Sequence, residues 1–227
     1  MIKLGLQFFG GRGASSGGGK GKLAFSNGKW SGNVGNQIGT LRDALGTRGN
    51  PKSMGSAMLD SNPNYNGDYK EFSENCQRVV VAYEARRRGY NVEAQPTYKG
   101  DELNQIAYND SKNNISRGRW MGAFQNAKPK DVSAKTEKGV LDNIDNQMKE
   151  YGDGSRAVVQ IFYKGGGGHV FNIERKDGKT HYIEAQAGKV KDFAKTLQNV
   201  KTDRVALVRT DNLKFSDRAK NFVMSKQ

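Results

Sequence analysis

Residues 73–89 read Ser-Glu-Asn-Cys-Gln-Arg-Val-Val-Val-Ala-Tyr-Glu-Ala-Arg-Arg-Arg-Gly. Val79, Val80, Tyr83 and Arg87 recur at helical spacing, so the stretch predicts a helix from Phe72 to Arg88. Ser73 offers an N-cap oxygen and Gly89 fills the C′ position. Cys76 then lies near the helix start, where unpaired amides and the positive dipole end stabilise a thiolate. The same position also suits a small buried apolar residue, which free cysteine often is.

Downstream, Asn91–Gln95 reads as a short strand stopped by Pro96, and Trp120 with Phe124 as a helical turn with an apolar anchor. Thr136–Tyr151 predicts a second helix, with Val140, Ile144 and Met148 four apart. Ala157–Tyr163, Val170–Glu174, Thr180–Glu184 and Arg204–Arg209 have strand composition. A helix, a connecting segment and then a run of antiparallel strands is α+β organisation, with the first long helix packed on the sheet. Tyr83, Trp120, Phe124, Phe162 and Phe171 are expected in the core, and Arg86–Arg88 at a solvated helix end.

Asp177-Gly178 separates two of these strands and is a strong two-residue hairpin turn. A turn centred there pairs residues whose numbers sum to about 355, so His169 faces Gln186 and Phe171 faces Glu184. Glu184 becomes a same-face diagonal neighbour of His169, placed to orient an imidazole and stabilise its charged form. His181, the only other histidine, falls on the opposite face. Gly165–Gly168 immediately precede His169 and leave the backbone room to approach a substrate. His169 suits either a general base or an ordinary turn histidine.

The chain has 227 residues, of which 35% are hydrophobic, and 29 glycines. Fifteen of those glycines fall in residues 1–65, and Gly10–Lys22 has the composition of a flexible linker. Asn33–Leu45 predicts a short helix bearing Ile38, Leu41 and Leu45. We therefore expect a flexible Gly-rich arm over 1–65, a folded domain over 66–213 and a basic tail or short helix over 214–227. A single cysteine excludes an internal disulfide framework and a multi-cysteine zinc site. No apolar run reaches 18 residues, so no transmembrane helix is expected, and no secretory signal is visible. The net charge of +14 suits a polyanion, with non-specific DNA contact the simplest form.

Four blocks carry a resemblance. They are Asn75-Cys76-Gln77-Arg78 followed by VVVAYEARRRGYNVEAQP, Gly154-Ser155-Arg156-Ala157-Val158-Val159, Gly168-His169-Val170-Phe171-Asn172, and Tyr182-Ile183-Glu184-Ala185-Gln186-Ala187-Gly188. In order and spacing they resemble the papain-like toxin domains, also called toxin glutamine deamidase domains, over about residues 66–213. The resemblance implies a papain-like fold and a cysteine hydrolase needing no metal or other cofactor, with a protein as substrate. It implies Cys76 as nucleophile, His169 as base, and Glu184 in place of the usual aspartate, with Gln186 matching a glutamine that often follows. The papain family proper supports the oxyanion with a glutamine six residues before the cysteine. Lys70 stands there instead, which leaves Asn75, Gln77 or backbone amides as oxyanion donors. Glutamine deamidation, peptide cleavage and transamidation share this chemistry.

The opening Leu4-Gly5-Leu6-Gln7-Phe8-Phe9-Gly10 is similar to the starts of structural and cargo proteins of tailed phages that infect Gram-positive bacteria. That resemblance implies capsid or portal partners for residues 1–65, and a location in the virion and then the host cytoplasm. The alternative is a non-enzymatic, DNA-associated minor capsid or internal virion protein that keeps the fold without its chemistry. A nuclease toxin has less support, because no cluster of metal-binding carboxylates stands out.

Overall fold

The hairpin around Asp177-Gly178 forms as its turn chemistry dictates. Both residues have positive φ, 52° and 71°, as a type I′ turn requires. The strands pair Asn172 with Ile183 through Lys176 with Lys179, every pair summing to 355. This hairpin is the middle of a larger sheet.

The computed structural model describes residues 24–26, 29–31, 39–97, 101–104, 106–108, 117–190 and 192–226. Two short strands, β1 (Ala24–Ser26) and β2 (Lys29–Ser31), pair with each other. Helices α1 (Leu41–Leu45), α2 (Met54–Asp60), α3 (Lys70–Ser73) and α4 (Cys76–Arg87) follow. Then come β3 (Val92–Ala94), β4 (Ala107–Tyr108), β5 (Arg117–Gly118), β6 (Lys130–Asp131) and α5 (Glu137–Tyr151). The remaining elements are β7 (Arg156–Phe162), β8 (Gly168–Lys176), β9 (Lys179–Glu184), β10 (Lys189–Val190), α6 (Phe193–Leu197), β11 (Ala206–Arg209) and β12 (Val223–Ser225).

A six-stranded antiparallel sheet in the order β10-β9-β8-β7-β11-β6 divides the core. Alternation along the strands sorts the side chains. Val158, Val170, Ile183 and Val208 pack toward α4. Ala157, Val159, Ile161, Phe171, Ile173 and Leu207 pack against Val140, Ile144 and Met148 of α5 and against Phe193 and Leu197 of α6. Each such aliphatic side chain, fully buried, contributes about 1.5–3 kcal/mol. The architecture is α+β, with the cysteine-bearing helix packed on an antiparallel sheet.

Helix α4 is covered on all sides, and every residue from Cys76 to Arg86 is buried. A helix so enclosed must satisfy its polar side chains internally. Asn172 on β8 donates to the Val80 carbonyl at 3.2 Å, pinning the sheet to mid-helix. Glu84, wholly buried, takes Arg156 at 2.9 Å and Arg88 at 2.7 Å. Arg87 forks onto Glu174, and Arg86 meets Asp60 at 2.6 Å. The arginine run is thus part of the buried frame and not the solvated helix end that composition suggests.

Three further expectations are corrected. The helix predicted over Phe72–Arg88 is broken: α3 ends at Ser73, Glu74 takes φ −118°, and Asn75 rather than Ser73 is the N-cap of α4. The boundary at residue 65 moves, because Ala44, Leu45 and Ala57 join the α4 core and α2 packs on α4. The boundary at 213 moves too. Phe215, Phe222 and Val223 are buried, and β12 pairs with β3 through Met224 opposite Glu93. Few but well-spaced apolar residues suffice here because each meets a surface built by distant sequence. The linker-like stretch 10–22, and residues 33–38 of the predicted short helix, lie outside the described residues; its end, Leu41–Leu45, is helical as α1.

Candidate active site

The α3–α4 break makes Cys76 the first residue of α4. Its backbone N–H has no hydrogen-bond partner among the described residues, as expected of a first-turn amide. The thiol is buried at 7% exposure and faces a cleft of about 580 Å³. Ser73, Glu74, Leu103, Ile106, Phe162 and His169 are among its lining residues. Phe162, expected in the core, is a wall of this cleft, and the Arg204 guanidinium stacks on its ring 4.5 Å from the centroid.

His169 arrives from the sheet. The turn before it uses Gly166 and Gly167 at φ 99° and 72°, values that side-chain-bearing residues rarely adopt. A Cβ on Gly168 would sit 2.6 Å from the Ile161 carbonyl, so only glycine lets β8 start this close to β7. His169 then pairs with Ile161. Its Nε2 lies 2.6 Å from Glu184 Oε2, and the ring shares the cleft with the Cys76 thiol. With Nε2 on the carboxylate, Nδ1 is the nitrogen left for sulfur.

The electrostatics follow from that placement. Burial on its own pushes the imidazole down, because it penalises the charged ring. The hydrogen bonds to Cys76 and Glu184, and the negative charge of both, outweigh burial and hold His169 up at about 10. The ring is set between a sulfur and a carboxylate, both of which favour its charged form. His181 pairs with Glu174 on the other face and takes no part.

The remaining sequence candidates separate. Gln186 lines the cleft but does not orient His169. Its Nε2 donates to the Ser73 carbonyl at 2.9 Å and to Asn75 Oδ1 at 3.3 Å. Asn75 is 1% exposed, and its Nδ2 donates to Asn62 Oδ1 at 3.0 Å and the Gln95 carbonyl at 3.3 Å. Gln77 is equally buried, donating to the Leu103 carbonyl at 2.6 Å and accepting from the Trp120 amide at 3.0 Å. Both side chains are engaged in hydrogen bonds within the frame, while the Cys76 N–H at the positive helix end is left open. Lys70 is exposed beside Glu74 at 4.0 Å and turned to solvent.

Asn62 is the residue that sequence reading missed. It is followed by Pro63, as in a turn, and nothing local announces that its amide is buried against the helix cap Asn75. Its Nδ2 donates to the Phe72 and Gln186 carbonyls, each at 2.9 Å. Among the described residues no group of three or more His, Cys, Asp or Glu is placed to hold a metal, and no helix is long and apolar enough to cross a membrane.

A thiol at a helix start, an imidazole beside it and a carboxylate behind the imidazole form the constellation used by cysteine hydrolases. Residues 74–189 match the family model described as papain fold toxin 1, glutamine deamidase. The matched span covers half of the chain and runs from the residue before the helix cap to the strand beyond Glu184, and the protein belongs to that family. No curated protein and no solved structure gives a significant match.

Proposed function

We propose that the protein deamidates a glutamine side chain of a protein target. The observation that carries the reading is the meeting of Cys76 and His169 at one open cleft, with Glu184 2.6 Å from the His169 ring. Family membership supports a carboxamide of glutamine as the electrophile.

The chemistry runs in two halves. The Cys76 thiolate attacks the carboxamide carbon, a C–S bond forms, and the carbonyl electrons move onto oxygen beside the Cys76 N–H. As the tetrahedral adduct collapses, the C–N bond breaks and His169 delivers its proton to the leaving nitrogen, releasing ammonia. The thioester that remains is attacked by water, which gives a proton to the now neutral His169. Collapse frees a glutamate side chain and returns the thiolate–imidazolium pair. Glu184 holds the ring in one orientation and stabilises its positive charge throughout. The apolar wall of Leu103, Ile106 and Phe162 suits the methylene stem that precedes the carboxamide.

Incubation with bacterial extract, followed by peptide mass mapping for glutamine-to-glutamate conversion, tests the reading. Conversion and ammonia release are expected from the wild-type chain and from none of the Cys76→Ala protein. New peptide termini without conversion would replace deamidation by proteolysis. Unchanged activity in Cys76→Ala would sink the cysteine mechanism.

Delivery is a separate part of the proposal. The phage-like opening Leu4–Gly10 and the net charge of +14 support carriage in a virion among DNA, through residues 1–65, with action in the host cytoplasm. Recovery of the chain from purified particles tests this. Its presence only in the soluble lysate would remove the virion from the account.

A further inference from the structure

Cys76 and Glu184 belong to parts of the chain more than a hundred residues apart, yet the site needs them in register to a fraction of an ångström. The fold joins them through a set of neutral amides. Asn62, 4% exposed, follows α2 with one residue between. Its Nδ2 reaches the Phe72 carbonyl in α3, the Gln186 carbonyl two residues beyond Glu184, and, at 3.4 Å, Asn75 Oδ1 at the α4 cap. Its Oδ1 accepts from Asn75 Nδ2 at 3.0 Å. Gln186 closes the ring from the other side through Ser73 and Asn75.

We propose that Asn62 is a positioning residue, which sets the start of the nucleophile helix against the strand end that carries Glu184 and so fixes the Cys76–His169–Glu184 alignment. The inference rests on the reading of that triad as the reactive site. Every bond in the ring joins an amide to an amide or a carbonyl, so the clamp adds no charge next to the sulfur, the imidazolium and the carboxylate. An aspartate at 62 would turn oxygen toward the Phe72 and Gln186 carbonyls, where Nδ2 now donates. An alanine would remove the hydrogen bonds to the Phe72 and Gln186 carbonyls and one of the two that Asn75 Nδ2 donates, and the strand end would be free to shift. Asn62 lies outside the segment that matches the family model.

The test uses the single cysteine as its own reporter. Iodoacetamide alkylation of the full chain at pH 7 is compared for wild type, His169→Ala, Asn62→Ala, Glu184→Gln and Asn62→Ala/Glu184→Gln, with near-ultraviolet dichroism reporting the fold. Asn62→Ala is expected to keep the wild-type spectrum and to slow alkylation about tenfold or more, the scale on which small misplacements act. In the Glu184→Gln background the same substitution should change the rate little, because both act by aligning His169. A folded Asn62→Ala with the wild-type rate overturns the proposal. So do losses that multiply in the double variant, which would mark general loosening. If Asn62→Ala loses its spectrum, Gln186→Met cuts the ring from its less buried side, and there a wild-type rate overturns the proposal. Equal alkylation of wild type and His169→Ala would remove the activated pair itself, and with it both the proposed function and this role.

Discussion

The two ends of α4 solve the same problem of burial in opposite ways. At its start, Cys76 is surrounded by Asn62, Asn75, Gln77 and Gln186, whose amides bond to one another and to carbonyls. At its end, Glu84, Arg86, Arg87 and Arg88 engage Arg156, Asp60, Glu174 and one another as ions. Cations suit the negative end of a helix dipole, so Arg86–Arg88 are favourably placed. Formal charges packed around the start would compete with the Cys76–His169–Glu184 group for control of one proton. The fold gathers most of the ion pairs of α4 at the end that does no chemistry, while near the start Arg78 pairs with Asp101 at 2.6 Å.

The largest break in this comparison is Glu184→Gln. An amide keeps the shape but removes the charge that helps hold His169 up at about 10. We expect kcat to fall roughly 10²–10⁴-fold, the range seen when the carboxylate or the base of such a triad is altered. The alkaline limb of the rate profile, which falls as the imidazolium is lost, should move down from about 10. The linkage has the same sign. A histidine raised above its ordinary value of about 6.5 adds stability that is complete below that pH and is lost as pH rises through its folded value. Urea midpoints between neutral and alkaline pH should therefore fall less steeply in Glu184→Gln than in wild type. An unchanged alkaline limb would show that the carboxylate does not set the imidazole.

The opposite end should answer in stability and leave the chemistry alone. Glu84→Ala strips the counter-charge from Arg88 and Arg156, whose side chains are only 16% and 14% exposed. Loss of one partner from a buried ionic cluster costs about 3–5 kcal/mol. The partial exposure of both arginines lets water reach them and favours the lower end of that range. Denaturant unfolding should report the loss, while Cys76 alkylation per folded molecule stays at the wild-type rate. A slowed alkylation in folded Glu84→Ala would mean that the two ends are coupled through the helix.

How much of this was legible in sequence follows the range of the forces involved. The Asp177-Gly178 turn fixes its own backbone, so the register, and with it the meeting of His169 and Glu184, could be written down from local chemistry. The helix period placed Cys76 near an N-terminus for the same reason. The break between Ser73 and Asn75 was not legible, because Asn75 is held in place by Asn62, Gln95 and Gln186, none of them near it in sequence. The same holds for β12, whose partner β3 lies more than a hundred residues earlier. Arg86–Arg88 misled because a basic run at a helix end looks solvated until Asp60, Glu84 and Glu174 are seen around it. Phe162 misled because an aromatic on a strand looks alike whether it meets a core or a cleft.

The smallest expected effect sharpens the comparison most, because it concerns a residue that could belong to either category. Gln77 follows the nucleophile directly and is chemically able to donate to an oxyanion. Its Nε2, however, points to the Leu103 carbonyl at 2.6 Å, and its Oε1 receives the Trp120 amide at 3.0 Å. Gln77→Met keeps most of the volume and removes both bonds, leaving a buried donor and a buried acceptor short of partners. That costs about 1–3 kcal/mol. Leu103 also lines the cleft, so KM should rise modestly as that wall loosens. On the proposal that the Cys76 N–H holds the oxyanion, kcat should stay within a few-fold of wild type. The loss of a true oxyanion donor would instead cut kcat about 10²–10³-fold with little change in stability. Unfolding and steady-state rates measured on this one variant separate an amide that frames the nucleophile from one that takes part in its reaction.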